Sequence, residues 1–324
     1  MRAVRYHESG PPDALRLEDV PRPVPGPYEL LVAVHTAGVN PVDAKYRARG
    51  HDRTPKTTGS DFAGVVEAAG DSVKEYEVGD RVFGTGFYSA GFRQGSFAEY
   101  VTVPTNMVAA LPPSVSFEEG GAAGIVGTTA WLGLIERTDL GPVDACLIHG
   151  GAGGVGHVGV QLAKASGASV LATAGSPDRV SAAKEFGADD VFDYTDDVTD
   201  AVGRACPGGV DVILDPRYAE NAQMDVDVAG FGADVIVIDG DGSSIDGPQA
   251  RGKHLQVHML SMTPLLVRDD LPTLSFVLRK LARLLADGTL SITVSRTYDL
   301  EDAATAHHDV MGENIVGKAA VTVR

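Results

Sequence analysis

A glycine-rich run carries the clearest chemistry in this sequence: His149-Gly150-Gly151-Ala152-Gly153-Gly154-Val155-Gly156. It matches the pattern G-x-G-x-x-G and lies between a predicted strand and a predicted helix. In that pattern the first glycine permits a tight turn, the second lets the backbone approach a pyrophosphate, and the third lets the helix pack closely on the sheet. The run predicts a dinucleotide site, with a glycine-rich turn that binds nothing as the alternative. The residues predicted to contact the cofactor here are Gly151, Gly153, Gly154, Val155 and Gly156.

The residues at the end of the next predicted strand indicate which dinucleotide binds. A site that prefers NAD usually places an acid there. In this chain Ser176 can hydrogen-bond a 2′-phosphate and Arg179 can pair with it bidentately. Tyr194, after a third short strand, could pack beside the adenine ribose. The pattern favours NADPH; the alternative is that Arg179 is a solvated residue in the first turn of a helix, and the adjacent Asp178 weakens the case for NADPH.

Two patterns of predicted secondary structure along the chain determine where these residues lie. From about 123 to 263, short apolar strands alternate with helices, which predicts a parallel sheet covered on both faces. Residues 1 to about 122 contain short strands separated by turns, which indicates a small barrel or sandwich. After 264, the sequence predicts a helix through Leu285, stopped by Asp287-Gly288, and then strands at 291–295 and 319–323. The central strands are predicted at 144–149, 169–174, 210–214 and 233–238, and helices at 155–166 and 177–186.

The composition excludes several classes of function. The chain has 324 residues, 44% of them hydrophobic and 22% charged, enough to bury the cores of about two domains. A formal net charge of −17 makes nucleic acid and anionic membranes poor partners. There is no run of about 18 apolar residues, and the two cysteines cannot form a four-thiolate zinc site or a disulfide framework. These features predict a cytoplasmic protein.

The charged residues are biased towards Asp and Arg, with 30 Asp against 14 Glu and 19 Arg against 8 Lys. Such a bias is typical of proteins kept soluble at high salt, where screening removes the self-repulsion. A genome rich in G and C, which also favours Arg over Lys, is the alternative explanation.

Six stretches keep their order along nearly the whole chain and carry a resemblance. They are Ala37–Asp43, Gly59–Val66, Val78–Phe83, Gly95–Tyr100, the glycine run and Val316–Lys318. On these stretches the chain resembles the medium-chain dehydrogenase/reductase superfamily, and specifically its zinc-independent NADPH:quinone oxidoreductase (zeta-crystallin-like) branch. The resemblance implies an α/β protein with a GroES-like, β-rich catalytic domain at 1–123 and 264–324. It implies a Rossmann domain with a doubly wound parallel sheet at 124–263.

The expected absence of zinc follows from the residues at the positions of its ligands. Catalytic zinc needs three protein ligands, from Cys, His or acids, and an open position. The zinc-dependent relatives carry a cysteine where this chain has Asn40, and Gly-His-Glu where it has Gly59-Ser60-Asp61. They also often carry a four-cysteine lobe after the position of Gly84, and no cysteine lies between Gly84 and Gly95. We therefore expect no bound zinc.

The resemblance also implies roles for individual residues. Those matching Asn40, Asp43 and Tyr46 line the cleft near the nicotinamide, where Asn40 could hydrogen-bond the acceptor or cofactor and Tyr46 could donate to a developing oxyanion. The alternatives are a helix start at Asn40-Pro41, with Asp43 in its first turn, and a packing role for Tyr46. Three further matches are expected to contact the cofactor: Thr128, in a stretch predicted to open the helix entering the Rossmann domain, and Asn314 and Lys318, which would reach its phosphates.

A departure from the family pattern lies at Leu214-Asp215-Pro216-Arg217-Tyr218-Ala219, where two glycines usually follow a valine. That loop approaches the cofactor in relatives, so the bulky Arg217 and Tyr218 put cofactor geometry or substrate access in doubt.

Without a metal, the natural reaction is hydride donation to an already electrophilic acceptor, a quinone or an α,β-unsaturated carbonyl. The chain is thus expected to be an NADPH-dependent quinone or enone reductase that acts on a small molecule. Two alternatives stay open: a 2-enoyl thioester reductase, and a nucleotide-binding protein with little turnover. The family's late Rossmann strands pair across a two-fold axis, which implies a homodimer.

Overall fold

The computed structural model describes residues 1–50, 54–87, 94–239, 245–267, 273–312 and 315–324. The chain forms two compact units. The discontinuous unit comprises Met1–Thr128 and Met262–Arg324, and the central unit comprises Thr129–Ser261. The predicted boundaries at 123/124 and 263/264 lie a few residues from these. Among the described residues, no helix combines the length and the apolar character needed to cross a membrane.

The strands within the described residues are, in chain order, β1 (Arg2–Tyr6), β2 (Arg16–Asp19), β3 (Glu29–Val39), β4 (Lys56–Thr57), β5 (Asp61–Ala69), β6 (Arg81–Gly84), β7 (Tyr100–Pro104), β8 (Val108–Ala110), β9 (Ala145–Ile148), β10 (Ser169–Ala174), β11 (Asp190–Asp193), β12 (Val210–Asp215), β13 (Ala229–Val237), β14 (Gln256–Met259), β15 (Val294–Asp299) and β16 (Lys318–Thr322).

The α-helices there are α1 (Pro41–Arg49), α2 (Phe117–Leu134), α3 (Gly154–Ala165), α4 (Pro177–Glu185), α5 (Val198–Ala205), α6 (Tyr218–Val228), α7 (Gly247–Gly252), α8 (Pro264–Val267), α9 (Leu274–Asp287) and α10 (Ala303–Gly312). Short 3-10 helices lie at Pro12–Ala14, Thr105–Met107 and Leu300–Asp302.

The sheet of the discontinuous unit explains how distant polar residues meet. Its strand order is β15-β16-β3-β5-β6-β8, with β7 also paired to β3. The long β3 forms because Leu30–Val34 is an apolar run that is buried on both faces. In the antiparallel register, Gly38 lies opposite Asp61 on β5 and Val39 lies opposite Ala319 on β16. The end of β3, the start of β5 and the start of β16 therefore converge where α1 begins.

The central unit confirms the predicted doubly wound fold. Its parallel sheet has the order β11-β10-β9-β12-β13-β14, so the order reverses between β9 and β12. Ligands of such sheets bind outside the carboxyl ends of the strands at this reversal. The glycine run follows β9 at that edge.

Two predicted helices are corrected. The stretch Gly127–Trp131 lies within α2, which begins at Phe117. The amide of Ser116 donates to the carboxylate of Glu119 and the amide of Glu119 to the hydroxyl of Ser116, a capping box that starts the helix earlier than expected. The helix predicted from 264 through Leu285 consists of α8 and α9, and α9 ends before Gly288, whose φ is +79°.

Candidate active site

The glycine run forms a backbone cradle at the carboxyl end of β9. The amide of Gly151 donates to Thr173 O at 2.9 Å and the amide of Gly153 to Gly150 O at 2.8 Å, which closes the turn. The first bond of α3 runs from the amide of His157 to Gly153 O. The amides of Gly154, Val155 and Gly156 therefore precede the first intrahelical donor and, as at any helix start, are available to bind an anionic ligand.

Steric contacts show why glycine is needed in this turn. Gly150, rather than Gly151, has the left-handed φ of +64° that closes it. A Cβ on Gly156 would lie 2.1 Å from Gly150 O, so any side chain there would displace the turn. A Cβ on Gly153 would meet Gly150 O at 3.2 Å and Nη2 of Arg179 at 3.4 Å. The cradle is thus shaped for close approach of a ligand and has a guanidinium beside it, which fits a dinucleotide pyrophosphate.

Ser176 and Arg179 lie together at the start of α4. Ser176 caps the helix, and its Oγ accepts from the amide of Arg179 at 3.4 Å. That bond uses a lone pair of the hydroxyl and leaves its hydrogen for a phosphate oxygen. Arg179 interacts electrostatically with Tyr194 and with Arg217. The structure therefore brings the three predicted adenosine-side residues to one place and adds a second guanidinium, that of Arg217.

In the discontinuous unit, Asn40 lies in a buried cluster with Asp61 and Lys318. Asn40 Nδ2 donates to Asp61 Oδ2 at 2.9 Å, and Lys318 Nζ donates to Asn40 Oδ1 at 2.5 Å and to Val39 O at 2.6 Å. The other carboxylate oxygen of Asp61 accepts from the amide of Ile125 at 3.0 Å. Because an ammonium can only donate and this carboxylate accepts, the amide orientation of Asn40 is fixed. Burial raises the pKa of Asp61 and lowers that of Lys318, while each charge favours the other.

Asp43, on the first turn of α1, forms the second half of this cluster. Ser60 donates a short hydrogen bond to Asp43 Oδ1, whereas Asp43 Oδ2 is buried and has no hydrogen-bond partner among the described residues. Burial raises the pKa of Asp43 to about 7; Asp61 raises it too, whereas Ser60, Lys318 and Lys56 oppose the shift. The group can therefore gain or lose a proton near neutral pH.

The other predicted site residues of the discontinuous unit are Tyr46, Thr128, Lys318 and Asn314, and each has a different environment. Tyr46 is half-buried on α1 and interacts electrostatically with the buried Tyr6. Thr128 is fully buried inside α2, and its hydroxyl has no partner among the described residues. Lys318 is buried with its ammonium on Val39 and Asn40, an arrangement that favours a role within the cluster over the predicted phosphate contact. Asn314 lies outside the described residues.

The loop at 215–219 is less obstructive than its sequence suggests. Tyr218 is only 8% exposed and packs in the core of the central unit, because it begins α6. The side chain of Arg217 pairs with Glu220 on the same helix. The bulk at these two positions is thus partly accommodated by the core and by a surface ion pair.

Comparisons with known proteins agree with this geometry. A profile of the alcohol dehydrogenase GroES-like domain matches residues 26–113, and one of a zinc-binding dehydrogenase matches residues 186–321. The chain is 32% identical to the quinone oxidoreductase of Homo sapiens over 332 residues, which cover 98% of this chain and 96% of that protein. The chain belongs to the quinone oxidoreductase branch of the medium-chain dehydrogenase/reductase superfamily. It is an oxidoreductase.

Other relatives of this oxidoreductase have different names. It is 31% identical to a mycocerosic acid synthase-like polyketide synthase of Mycolicibacterium smegmatis, over 96% of this chain but 15% of that protein. A mycobacterial protein solved as a complex with NADPH superposes with a TM-score of 0.89 at 27% identity, covering all of both chains. An NAD-dependent alcohol dehydrogenase superposes with a TM-score of 0.90 at 28% identity, also over both whole chains.

Sequence reasoning missed three buried polar residues of the central unit, His149, Asp215 and Asp225. His149 and Asp215 each stand at the carboxyl end of a buried strand, where ligand-binding residues of such sheets concentrate. That position is the signal that could have found them. Asp225 lies on α6 with no motif around it, so nothing in the sequence marks it.

Proposed function

We propose that this oxidoreductase transfers hydride from NADPH to a quinone or another conjugated carbonyl compound. The observation that carries the proposal is the glycine cradle with the guanidinium of Arg179 beside it. Of the residues that follow β10, Gly175, Ser176 and Pro177 include no acid that would accept from the ribose 2′-hydroxyl of NAD, and the first acid, Asp178, lies in the first turn of α4. Serine and arginine instead suit a 2′-phosphate. The NADPH complex of the mycobacterial structure supports this choice.

On the substrate side, bound NADPH supplies the hydride, and the chain's own residues orient and stabilise charge. The carbonyl oxygen of Asn40 is occupied by Lys318 and one of its N–H groups by Asp61, so in this proposal its second N–H is the group that donates to the acceptor. Tyr46 donates a hydrogen bond or proton to the oxygen on which negative charge develops. Asp43 lies on α1, the same helix as Tyr46, and burial raises its pKa to about 7, so it can hold a proton there near neutral pH. In this proposal the hydroxyl of Thr128, which has no hydrogen-bond partner within the described part of the chain, binds the nicotinamide side of the cofactor.

We further propose that the reaction does not use zinc. At the positions of the zinc ligands in relatives, Asn40 and Asp61 hydrogen-bond to each other and Ser60 to Asp43. Lys318 supplies the cation that these buried acids need. Among the described residues, no three His, Cys, Asp or Glu side chains are grouped to hold a metal ion. Activity should survive exhaustive chelation, and one tightly bound zinc per chain would contradict the proposal.

One observation favours a second candidate, a 2-enoyl thioester reductase. The chain resembles a segment of a polyketide synthase over 96% of its own length. Such an activity would need a surface for phosphopantetheine or CoA.

The experiment that separates these candidates measures oxidation of NADPH and of NADH with a benzoquinone, a simple enone and crotonyl-CoA in parallel. We expect turnover of NADPH with the quinone or the enone. Faster turnover of crotonyl-CoA would favour the thioester reductase. Tight NADPH binding without turnover of any acceptor would favour a non-catalytic nucleotide-binding protein.

We also propose that the chain forms a homodimer through β14. This strand ends the central sheet, and its outer edge pairs with no strand of the described residues. Val257 and Met259 on it are 41% and 67% exposed. An exposed apolar edge invites pairing with a second copy. Sedimentation of the wild type and of Val257→Glu should give a dimer and a weakened dimer; a wild-type monomer would contradict the proposal.

A further inference from the structure

Arg217 is a charged residue next to the glycine cradle, and the proposed function gives it no role. It follows β12 by two residues and directly precedes α6, which begins at Tyr218. β12 pairs with β9, and the amide of His149, the first residue after β9, donates to Leu214 O at 3.0 Å. Arg217 therefore lies at the same carboxyl edge of the central sheet as the cradle, where ligands of such sheets bind.

The strand order places Arg217 and Arg179 on opposite sides of the cradle. In the order β11-β10-β9-β12, Arg179 follows β10 and Arg217 follows β12, one strand to either side of β9. Two strand spacings amount to about 10 Å, a separation that two long arginine side chains can close from both sides. Arg179 extends over the cradle already, because its Nη2 lies 3.4 Å from the position that a Cβ on Gly153 would occupy.

The charge of Arg217 acts on both adenosine-side groups. Burial lowers the pKa of Arg179; Tyr194 opposes that shift and Arg217 adds to it. Burial raises the pKa of Tyr194, whereas the hydrogen bond from Thr173 and the charge of Arg217 lower it. The hydroxyl of Tyr194 is fixed at the cradle, because Thr173 Oγ1 donates to it at 2.7 Å and accepts from the amide of Gly150 at 3.1 Å. Two guanidinium groups and a phenol hydroxyl thus share one place at this edge of the sheet.

Two guanidinium groups at one place favour an anion between them. A guanidinium has several N–H donors and no acceptor, so neither group can satisfy the other. A phosphate monoester carries close to two negative charges at pH 7 and has three terminal oxygens, enough to accept from both groups. The 2′-phosphate of NADPH is such a monoester, and NADH has a hydroxyl in its place.

The ion pair between Arg217 and Glu220 is weak enough to be exchanged for a phosphate. The two residues are three positions apart, and their side chains are 55% and 60% exposed. Exposed pairs of this kind contribute little to stability because water screens them. Glu220 also stays in a favourable position without Arg217, since it lies in the first turn of α6, where the helix dipole favours an acid.

We propose that Arg217 is a second specificity-determining residue, which binds the 2′-phosphate of NADPH together with Arg179. The two guanidinium groups approach the phosphate from opposite sides of the cradle, and Glu220 competes with the phosphate for Arg217. This inference rests on the proposed preference for NADPH. It gives a role to one of the two bulky residues at 217 and 218 that depart from the family pattern.

Two substitutions with opposite expected effects test this role in the full-length protein. Arg217→Ala removes the guanidinium, and Glu220→Gln removes the charge that competes for it. Arg204→Ala and Asp200→Asn are the matched controls, because Arg204 and Asp200 form a similarly exposed pair on α5 of the same unit. Each control changes the net charge by as much as its test variant does, so an effect of overall charge would appear in both.

The readouts are the dissociation constants of NADPH and NADH, measured by fluorescence titration at physiological ionic strength. Arg217→Ala should raise the constant for NADPH about tenfold, the lower end for a hydrogen bond to a charged group, and hardly change that for NADH. Glu220→Gln should lower the constant for NADPH about twofold, as the loss of a weak exposed pair implies. A variant that combines Arg179→Ala and Arg217→Ala should lose most of the preference for NADPH, and the two controls should change neither constant.

The outcomes separate this inference from the cofactor assignment on which it rests. If Arg179→Ala weakens NADPH selectively and Arg217→Ala does not, Arg179 binds the 2′-phosphate alone and the role of Arg217 is overturned. Equal losses for NADPH and NADH in Arg217→Ala would also overturn it, because they would assign Arg217 to a part of the cofactor that both share, such as the adenine ring. A wild type that binds NADH as tightly as NADPH would overturn the cofactor assignment itself.

Glu220→Gln provides an independent decision, which holds even if Arg217→Ala does not fold. Tighter binding of NADPH with unchanged binding of NADH supports the competition between Glu220 and the phosphate. An NADPH affinity equal to that of the wild type, or a gain of the same size in Asp200→Asn, contradicts it.

Discussion

At the scale of single residues, Arg179 provides the most direct test of the cofactor. Only NADPH carries the 2′-phosphate, so Arg179→Ala should weaken NADPH binding and leave NADH binding nearly unchanged. Loss of a charge-assisted pair should cost about 1.5–3 kcal/mol of NADPH binding free energy, measured by fluorescence titration. Lys184→Ala, on the exposed face of the same helix α4, is the control and should change neither affinity. Equal losses of affinity for NADPH and NADH would show that Arg179 does not bind the 2′-phosphate.

Asp43 should make the stability of the fold depend on pH. Burial raises its pKa from 3.8 to about 7, so the folded chain holds this proton more tightly than the unfolded chain. Its contribution to the free energy of unfolding is therefore fully present below about pH 4 and is lost as the pH rises towards 7. Asparagine does not titrate, so Asp43→Asn should gain stability relative to the wild type by roughly 1–2 kcal/mol between pH 5.5 and 7.

Urea unfolding at a series of pH values measures this difference. Asp71→Asn, which removes an exposed acid of the same unit, should retain the wild-type slope. Parallel curves for the wild type and Asp43→Asn would mean that Asp43 is already ionised at pH 5.5.

A substitution at Tyr46 distinguishes a role in proton donation from a role in packing. A quinone can take its proton from water after accepting hydride, whereas an enone develops an enolate that gains more from a nearby donor. Tyr46→Phe should slow the enone reaction on the order of 10²-fold, slow the quinone reaction much less, and hardly change NADPH affinity. The exposed Tyr28→Phe serves as the control. Small and equal effects on both acceptors would assign Tyr46 to packing.

The sequence predicts some of these residues and not others for a physical reason. Gly153 and Arg179 are found because their meaning depends on neighbours a few positions away. The partners of Asn40 and His149 lie 278 and 76 residues along the chain, at Lys318 and Asp225, and are brought near by sheet register and helix packing. Periodicity and motifs give no information on such pairs, so the role of Lys318 within a buried cluster was not foreseen.

At the scale of elements, apolar runs predicted the central strands well because each is buried on both faces. β9, β10 and β12 begin and end within a residue or so of their predicted bounds, whereas β13 begins at Ala229, four residues before the predicted start at 233. The prediction that Gly127–Trp131 opens α2 is wrong, because the capping residues Ser116 and Glu119 start the helix ten residues earlier, at Phe117. Terminal strands were displaced: the one predicted at 291–295 is Val294–Asp299.

The fit between α3 and its loop gives the element-scale prediction. Gly156→Ala would place a Cβ 2.1 Å from Gly150 O, a backbone atom that cannot rotate away. The turn must shift, which should cost about 1–3 kcal/mol of stability and weaken NADPH and NADH by similar factors, because both share the pyrophosphate. Gly203→Ala, in α5 with nothing within 4 Å, should instead stabilise the protein by about 0.5–1 kcal/mol. Selective loss of NADPH alone in Gly156→Ala would contradict this account of the cradle.

At the scale of the whole molecule, charge is the property that no single site explains. With 44 acidic and 27 basic side chains, 17 acidic side chains would be left over even if every basic side chain paired with an acid, and the surface repels itself. Not all of these acids lie at the surface, because Asp215 and Asp225 are buried. Burial raises the pKa of Asp215 to about 6 and that of Asp225 to about 7; the charge of Asp225 raises the pKa of Asp215 further, whereas a hydrogen bond with Asp215 lowers that of Asp225.

This charge predicts how stability depends on salt. Added KCl shortens the Debye length from about 30 Å at 0.01 M to about 3 Å at 1 M, so repulsion among the excess acids should be screened and the free energy of unfolding should rise steeply over that range at pH 7. The same series at pH 5, close to the isoelectric point of 4.8, is the internal control, because the net charge is nearly gone there and little repulsion is left to screen. A rise at pH 7 with a nearly flat series at pH 5 would support adaptation to high salt. A flat series at both pH values would leave genome composition as the explanation of the bias towards Asp and Arg.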